Sequence, residues 1–259
     1  MPELISPAMK VVETKVIGGT TIEIIEYTEL RGAGSPAEIY YREKLGIRLK
    51  TICITLKNSS FTSEPGALHY LRGKVEMKSE GGGGVGGFLN RAIQSMATGE
   101  TMYKTEYKGT GLIYLEPTYN HYMMLEIDND EIVTDKGAFV AAAGNFSYLV
   151  KKPDSVVSGL LGGEGIFQPM VRGSGIVILQ TPVPQAELQT VVLENDQLVV
   201  DGNFAVARTG QISMSVQKSQ KSLLGSARGG DGMVTVFKGS GVVWLAPTAR
   251  LYQPSILSL

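Results

Sequence analysis

Lys108-Gly109-Thr110-Gly111-Leu112-Ile113-Tyr114-Leu115-Glu116-Pro117 is the stretch that decides the fold, because the chain carries it three times. It returns as Arg172-Gly173-Ser174-Gly175-Ile176-Val177-Ile178-Leu179-Gln180 and as Lys238-Gly239-Ser240-Gly241-Val242-Val243-Trp244-Leu245-Ala246-Pro247. Residues 108, 172 and 238, where the copies begin, are 64 and 66 residues apart. Repetition at a near-constant period indicates that one structural module is used three times.

Two further motifs recur in the same order around this stretch. A pair of glycine and acid precedes each copy, at Gly99-Glu100, Gly163-Glu164 and Gly230-Asp231. Each module opens on an acid, a variable residue, then Gly or Asn, then apolar residues. These openings are Glu64-Pro65-Gly66-Ala67-Leu68, Asp135-Lys136-Gly137-Ala138-Phe139 and Asp201-Gly202-Asn203-Phe204-Ala205.

The third position of each opening predicts a tight turn. Gly and Asn reach positive φ at low cost, and Pro65-Gly66 suits the centre of a type II turn. We therefore expect positive φ at Gly66 and Gly137, with Asn203 close to the same conformation.

Between these motifs the pattern is that of β-strands. Ile212, Met214 and Val216 alternate with polar residues, and Val75 and Met77 do the same. Period-two alternation places one strand face in a core and the other in water. The uniformly apolar runs Leu112 to Leu115 and Val242 to Leu245 are typical of strands buried on both faces. We predict about six short strands in each module, with each Gly-Ser/Thr-Gly tripeptide in a turn.

The organisation that follows is a single domain over residues 1–259. The repeats cover about 51–117, 123–182 and 189–247. The first fifty residues do not fit the repeat, and the alternating run Thr21 to Tyr27 indicates an edge strand or hairpin.

One insert per module interrupts the β pattern. The glycine-rich run Gly81 to Gly87 precedes apolar residues at helical spacing, which predicts a hinge and a short amphipathic helix. Equivalent inserts follow in the other modules. They either cap their own modules or form a self-assembly or partner surface at one end of the molecule. The insert residues concerned are Phe88, Leu89, Ala92, Ile93 and Met96; Val156, Val157, Leu160 and Leu161; Leu223 and Leu224.

The chain resembles a known family, the altered-inheritance-of-mitochondria family number twenty-four. The resemblance covers roughly Thr51 to Pro247 and is carried by the motifs Glu64 to Tyr70, Gly81 to Gly87, Gly162-Gly163-Glu164-Gly165-Ile166-Phe167 and Val243-Trp244-Leu245-Ala246-Pro247. It implies an all-β fold of triplicated β-sandwich or double-stranded β-helix modules about a pseudo-threefold axis. Such a fold is similar to the tryptophan RNA-binding attenuation protein. The resemblance brings no catalytic residues with it, and RNA binding would rest on fold analogy alone.

No motif in the sequence points to catalysis or to a cofactor. Gly82 to Gly87 matches G-x-G-x-x-G, but such a match is nearly automatic in a glycine-rich run and no βαβ pattern surrounds it. His69 and His121 lack zinc-ligand spacing. Cys53 is the single cysteine and lies in an apolar alternating run, so we interpret it as a core residue. We expect no catalytic, cofactor-binding or metal-binding residues.

The repeat nevertheless allows one constellation. Around a threefold axis, equivalent charges would form rings, one of three cations able to bind an anion and one of three carboxylates able to bind a metal. The simpler alternative is that the acids are solvated or bond turn amides, and that the bases are solvated strand ends. The rings would consist of Lys108, Arg172 and Lys238, and of Glu64, Asp135 and Asp201.

The composition of the chain narrows the classes of partner that it is expected to bind. Twenty-four basic and 25 acidic residues leave a net charge of −1, without the basic excess of most nucleic-acid binders. No apolar run is long enough to span a membrane, although peripheral contact stays open. Met1 to Ser6 lacks the basic and apolar regions of a signal peptide, so we expect a cytoplasmic protein.

Taken together, the sequence predicts a non-enzymatic β scaffold that acts through protein binding or assembly, as a homo-oligomer or with a protein partner. The alternatives are a small-molecule-binding protein with a pocket between modules, or RNA binding by fold analogy. An apolar pocket with converging polar groups would favour the small-molecule alternative, and a broad exposed apolar patch would favour the scaffold.

Overall fold

A computed structural model describes residues 8–29, 36–79, 104–152, 155–156, 168–201, 204–218 and 233–249. Within this part the chain is all-β, with twelve strands in one sheet and one short α-helix. The strands are β1 (Met9–Ile17), β2 (Thr20–Tyr27), β3 (Lys50–Ser63), β4 (Leu68–Ser79), β5 (Thr105–Leu115), β6 (His121–Thr134), β7 (Phe139–Lys151), β8 (Ser155–Val156), β9 (Gln168–Thr181), β10 (Gln189–Asp201), β11 (Ala205–Lys218) and β12 (Met233–Leu245). The helix α1 is Pro36–Lys44, and a 3₁₀ turn covers Gln185–Glu187.

The sheet runs in the order β1-β2-β3-β7-β9-β6-β11-β12-β10, and β5 joins it through β3 with β4 outside. All pairings between the long strands are antiparallel, and the short β8 pairs parallel with β11. The all-β class predicted from the alternating pattern is confirmed. The arrangement of three sandwich modules about a pseudo-threefold axis stays a prediction.

Three groups of three strands share one internal order, and we call each group a strand unit. In each unit the strand that comes last in the chain lies between the other two: β4-β5-β3, β7-β9-β6 and β11-β12-β10. In the first two units a short turn connects the first strand to the second. In each of the three units the first and second strands do not pair with each other, because the third strand lies between them.

The predicted turns at the Gly-Ser/Thr-Gly tripeptides, and the six short strands per module, are wrong. Gly109-Thr110-Gly111 lies in the middle of β5, and the other two tripeptides lie in the middle of β9 and β12. The strands are 11 to 14 residues long in the first unit. Each tripeptide accommodates a bulge instead of ending a strand, so two predicted short strands are one continuous strand.

The predicted opening turns are confirmed. Gly66 and Gly137 both have φ of +81°. The amide of Ala67 donates to the carbonyl of Glu64 at 3.3 Å, and Ala138 donates to Asp135 at 3.1 Å. Asn203 lies outside the described residues.

The N-terminal region forms the predicted hairpin, with β1 at the edge of the sheet and β2 paired to β3. The helix α1 is not anticipated by the alternation analysis. Pro36 stands at its first position, where the fixed φ of proline and its missing N–H fit a helix start.

The core follows the alternation of the strands. The run Leu112 to Leu115 is buried throughout, as predicted, whereas Val242 and Trp244 are only half-buried. Ile212, Met214 and Val216 are buried as their alternation predicts, and so is Cys53.

Candidate functional site: unit boundaries and open sheet edges

The Gly-Ser/Thr-Gly tripeptides hold a bulge in the outer strand beside them. Where the first strand of each unit bulges, an Asn adopts positive φ, a conformation that Asn tolerates better than most residues. The hydroxyl of the central Thr or Ser accepts the amide N–H of that Asn. These bonds are Asn58 to Thr110 (3.0 Å), Asn129 to Ser174 (2.8 Å) and Asn195 to Ser240 (2.9 Å).

The glycines beside the hydroxyl are required by close approach of the neighbouring strand. Gly109 and Gly173 have φ of +142° and +144°, and a Cβ at either position would collide with a backbone carbonyl oxygen, that of Lys74 or of Asn145. These tripeptides therefore shape the backbone, and their repetition reflects three similarly bent units.

The first and second units meet at a short pairing between β3 and β7. Ser63 lies opposite Ala141, and the amide of Glu64 donates to the carbonyl of Val140 at 2.9 Å. Ser63 and Ala141 are both fully buried. The end of one unit's first strand thus covers the start of the next unit's second strand.

A buried cation lies at this boundary. Lys104 is almost fully buried, forms an ion pair with Glu64 and lies over the ring of Phe139, with Nζ 4.3 Å from the ring centre. Burial lowers the pKa of Lys104, and the neighbouring Glu64 partly counteracts the decrease. Glu64 belongs to the first unit and Phe139 to the second, so one side chain contacts both units.

The second and third units meet in the same way, between β6 and β11. Thr134 lies opposite Ala207, and the amide of Asp135 donates to the carbonyl of Val206 at 2.8 Å. Here the buried cation is Arg208, which donates to the side-chain oxygen of Gln168 at 2.8 Å. The relation between the first two units is therefore repeated between the second and the third.

The strands that would form a third boundary are open. In the described part of the chain, β4 pairs with β5 alone and β10 pairs with β12 alone. Both β4 and β10 have long exposed stretches. By contrast, β7 is buried over most of its N-terminal half, and β9 is buried over most of its C-terminal half. An open strand edge presents unpaired N–H and C=O groups.

The apolar side chain Tyr70 is exposed on β4 at a position that is buried in the other units. Tyr70 stands three residues before Gly73 and is 41% exposed. Ala141 and Ala207 stand three residues before the matching glycines, Gly144 and Gly210, and are buried. The position is enclosed wherever a neighbouring unit covers it.

Val199 shows the same difference on β10. It stands four residues after the bulge residue Asn195 and is 50% exposed. Val133, four residues after Asn129, is buried at the second boundary. The two open edges thus expose apolar side chains at positions that the second boundary buries.

The open edges carry opposite charge. Strand β4 has three basic residues and one acidic residue, and β10 has three acidic residues and no basic residue. On β4 these are Arg72, Lys74, Lys78 and Glu76, and on β10 they are Glu194, Asp196 and Asp201. A basic edge and an acidic edge are electrostatically complementary.

The predicted cation ring of Lys108, Arg172 and Lys238 stays a prediction. Lys108 and Lys238 are exposed on the middle strands of the first and third units. Arg172 forms its ion pair within its own unit, with Glu131 at 2.6 Å. Burial opposes the charged form of Glu131, but hydrogen bonds from Lys151 and Arg172 outweigh it and lower its pKa.

The predicted acid ring is dispersed. Glu64 and Asp135 lie at two different unit boundaries, where Glu64 pairs with Lys104 and the carbonyls of both residues accept turn amides. Asp201 lies exposed at the end of β10. Within the described residues, no group of three or more His, Cys, Asp or Glu side chains is placed to bind a metal ion.

The two histidines lie in different environments. The exposed ring of His69 contacts Glu116, with Nδ1 2.8 Å from Oε2. His121 is buried, and burial together with the nearby Lys50 lowers its pKa to about 4. At neutral pH His121 is therefore uncharged.

Most of the insert residues lie outside the described part of the chain, and so does the Gly81 to Gly87 run. Val156 is the exception, since it belongs to β8 and pairs with β11. In the described residues, no helix is both long enough and apolar enough to span a membrane.

The open edges were not predicted as a site from the sequence. The residues that could have indicated them are the charged ones, which are mainly basic in Leu68 to Ser79 and all acidic in Gln189 to Asp201. That signal becomes meaningful only once the structure shows that these two strands are the outermost of their units.

The family model described as mitochondrial biogenesis AIM24 matches residues 41–248. The X-ray crystal structure of a protein from Streptococcus pyogenes is similar in fold, with 21% identity and a TM-score of 0.55. The similarity covers 77% of this chain and 88% of the streptococcal one. No curated protein matches the chain. Because the family model spans most of the sequence, including all three strand units, the chain belongs to the mitochondrial biogenesis AIM24 family.

Proposed function

We propose that this protein is a non-enzymatic β scaffold that acts through protein binding or assembly. One observation carries the proposal. Two open sheet edges of opposite charge, β4 and β10, expose the apolar side chains Tyr70 and Val199, whose counterparts at the second internal boundary are buried.

Open edges are normally protected in proteins, because unpaired strand groups recruit other strands. Charges on β4 and β10 provide some protection. However, Tyr70 and Val199 stand exposed among them, and leaving apolar area in water forgoes roughly 25 cal/mol per Å². Edges that combine apolar side chains with charges of one sign are suited to a partner of complementary shape and charge.

The non-enzymatic part of the proposal is supported by the roles of the charged side chains. Lys104 and Arg208 bridge strand units, and Glu131 pairs with Lys151 and Arg172. These groups have structural partners within the chain. We therefore propose no catalytic residues and no cofactor.

We also propose that the three strand units are divergent copies of one module, because strand order and bulge recur in all three and the opening turn recurs in the first two. Closure of the modules about a pseudo-threefold axis would pair β10 with β4 of the same chain. It is the alternative to the open edges, since β4 and β10 are not paired within the described residues. We also propose a cytoplasmic location, with which the free, buried Cys53 is compatible.

The mass of the purified full-length chain in solution tests the proposal. We expect light scattering to show particles heavier than 27.8 kDa, with a mass that rises with protein concentration, or a stoichiometric complex with a co-purified protein. A monomer at every concentration, with no co-purified protein, would contradict the proposed function.

A further inference from the structure

We infer that β10 of one molecule pairs antiparallel with β4 of a second copy of this chain, in the register already used at the two internal unit boundaries. The inference rests on the proposed assembly function and specifies its partner and its surface.

The internal boundaries provide the template for this contact. At each of them the residue that follows the first strand of one unit donates its amide to the second strand of the next unit. The donors are Glu64 and Asp135, and the acceptors are the carbonyls of Val140 and Val206. Donor and acceptor are placed identically in both cases, relative to the bulge and to the strand glycine.

The same positions on the open edges are occupied by Asp201 and His69. Asp201 stands six residues after Asn195, as Asp135 stands six residues after Asn129. His69 stands four residues before Gly73, as Val140 does before Gly144. We therefore expect the amide of Asp201 to donate to the carbonyl of His69 in the neighbouring molecule.

This register accounts for the exposed apolar side chains. Thr134 and Ala207 face each other across the second boundary, and their equivalents on the open edges are Val200, already buried in the single chain, and the exposed Tyr70. Val199 would then stand where Val133 is buried, opposite Leu71. Apolar groups that are exposed in one molecule become enclosed in the pair.

Charge supports the second copy as the partner. The acidic β10 would meet the basic β4, whereas β10 against β10 or β4 against β4 would place like charges together. The contact is heterologous, since two different surfaces meet. Such contacts form closed rings or open filaments.

The first test is a charge placed in the contact. Val199→Lys leaves a lysine on a half-exposed edge in the single molecule but buries it in the pair. We expect the assembled mass of the full-length protein to decrease to that of the monomer. Val192→Lys is the matched control, because Val192 is 62% exposed on the same strand and its equivalent Glu126 is a charged, exposed residue.

The outcomes separate the inference from the function on which it rests. If the wild-type protein is monomeric and binds no partner, the assembly function and the edge pairing are both wrong. If wild type assembles and Val199→Lys assembles equally well, the edge pairing is wrong while the assembly function stands. Circular dichroism shows whether each variant is folded.

A disulfide provides the second test, and it does not depend on the behaviour of Val199→Lys. Facing residues of an antiparallel pair are about 5.5 Å apart at Cα, which a disulfide can bridge. We mix one chain carrying His69→Cys with another carrying Asp201→Cys. We expect oxidation to join them, with peptide mapping that links positions 69 and 201, and each variant alone serves as the control. The buried native Cys53 can stay in place.

A chain that carries both His69→Cys and Asp201→Cys shows whether β10 pairs with β4 of the same chain or with β4 of another copy. A cross-linked dimer, or a longer ladder, supports pairing between copies. A cross-link formed only within single chains would overturn the inference and would instead favour pseudo-threefold closure of each molecule. Absence of any link between positions 69 and 201 would overturn it as well.

Discussion

The middle strands of the second and third units carry nearly the same sequence, yet they are buried to different extents. The run Ile176 to Leu179 in β9 is buried along its whole length. In the matching run of β12, Val243 and Leu245 are buried, whereas Val242 and Trp244 are only half-buried.

The difference comes from neighbours, since the local sequence is alike. In the second unit, both outer strands contact another unit, β7 with β3 and β6 with β11. In the third unit, only β11 has such a contact, and β10 is open. Apolar residues throughout a strand therefore indicate that both faces can be buried, and the neighbouring segments decide whether they are. In the first unit, whose β4 is open, the N-terminal hairpin takes this part, since Leu112 and Tyr114 pack with Ile25 of β2.

Truncation of the two runs should show the largest effect. Ile176→Ala should lower the free energy of unfolding by about 2–5 kcal/mol, because the side chain is fully enclosed. Val242→Ala, at the matching position, should cost about 1 kcal/mol or less, since only part of its side chain is buried. Chemical denaturation measures both.

The matched pair Val177→Ala and Val243→Ala controls for residue type. Both valines are fully buried, so the two losses should agree within about 1 kcal/mol. If Val242→Ala costs as much as Ile176→Ala, the third unit is covered in solution by something that the single chain does not supply.

The two histidines extend the comparison to charge. His121 is enclosed and has a pKa of about 4, whereas His69 lies on the open β4 edge. Unfolding returns His121 to a pKa near 6.5, so the unfolded state binds more protons between pH 6.5 and pH 4. The stability that this difference contributes is present above pH 6.5 and is lost as the pH falls toward 4, by up to about 3 kcal/mol.

Urea denaturation between pH 4 and pH 7 checks this expectation. His121→Gln should flatten the decrease in stability over this window. Equal slopes for wild type and His121→Gln would show that other groups cause the acid sensitivity. The nearby charges Lys50 and Glu187 are unchanged in the variant.

The smallest effect is expected at the opening turn of the first unit. Gly66 has φ of +81°, and no atom lies within 4 Å of the place that a Cβ would take. Gly66→Val should therefore destabilise through backbone conformation alone, by about 1 kcal/mol or more, because β-branched residues avoid positive φ. Gly66→Asn should cost less, since Asn tolerates this region.

Thermal melting of the two Gly66 variants is the measurement. An unchanged melting temperature for Gly66→Val would mean that the turn relaxes freely. In that case the opening turn would not help to fix the boundary between the first and second units.

The local structure was largely predictable from the sequence. Alternation at Ile212 to Val216 identified strands, and Gly66 and Gly137 identified turns, because both signals depend on a residue's own geometry and solvation. The Gly-Ser/Thr-Gly tripeptides were misassigned to turns. Glycine marks a close backbone approach as readily as a turn, and the approaching atoms, such as the carbonyl of Lys74, come from a distant strand.

The sequence by itself determined that the chain is all-β, that a motif recurs three times and that the positions of its turns recur with it. Only the tertiary structure decided which strands pair, and therefore which of the similar apolar residues are enclosed. The physical reason is that alternation and turn propensity act within a few residues, whereas strand order depends on contacts between distant segments. The exposure of Tyr70 and Val199, on the two open edges, follows from that order.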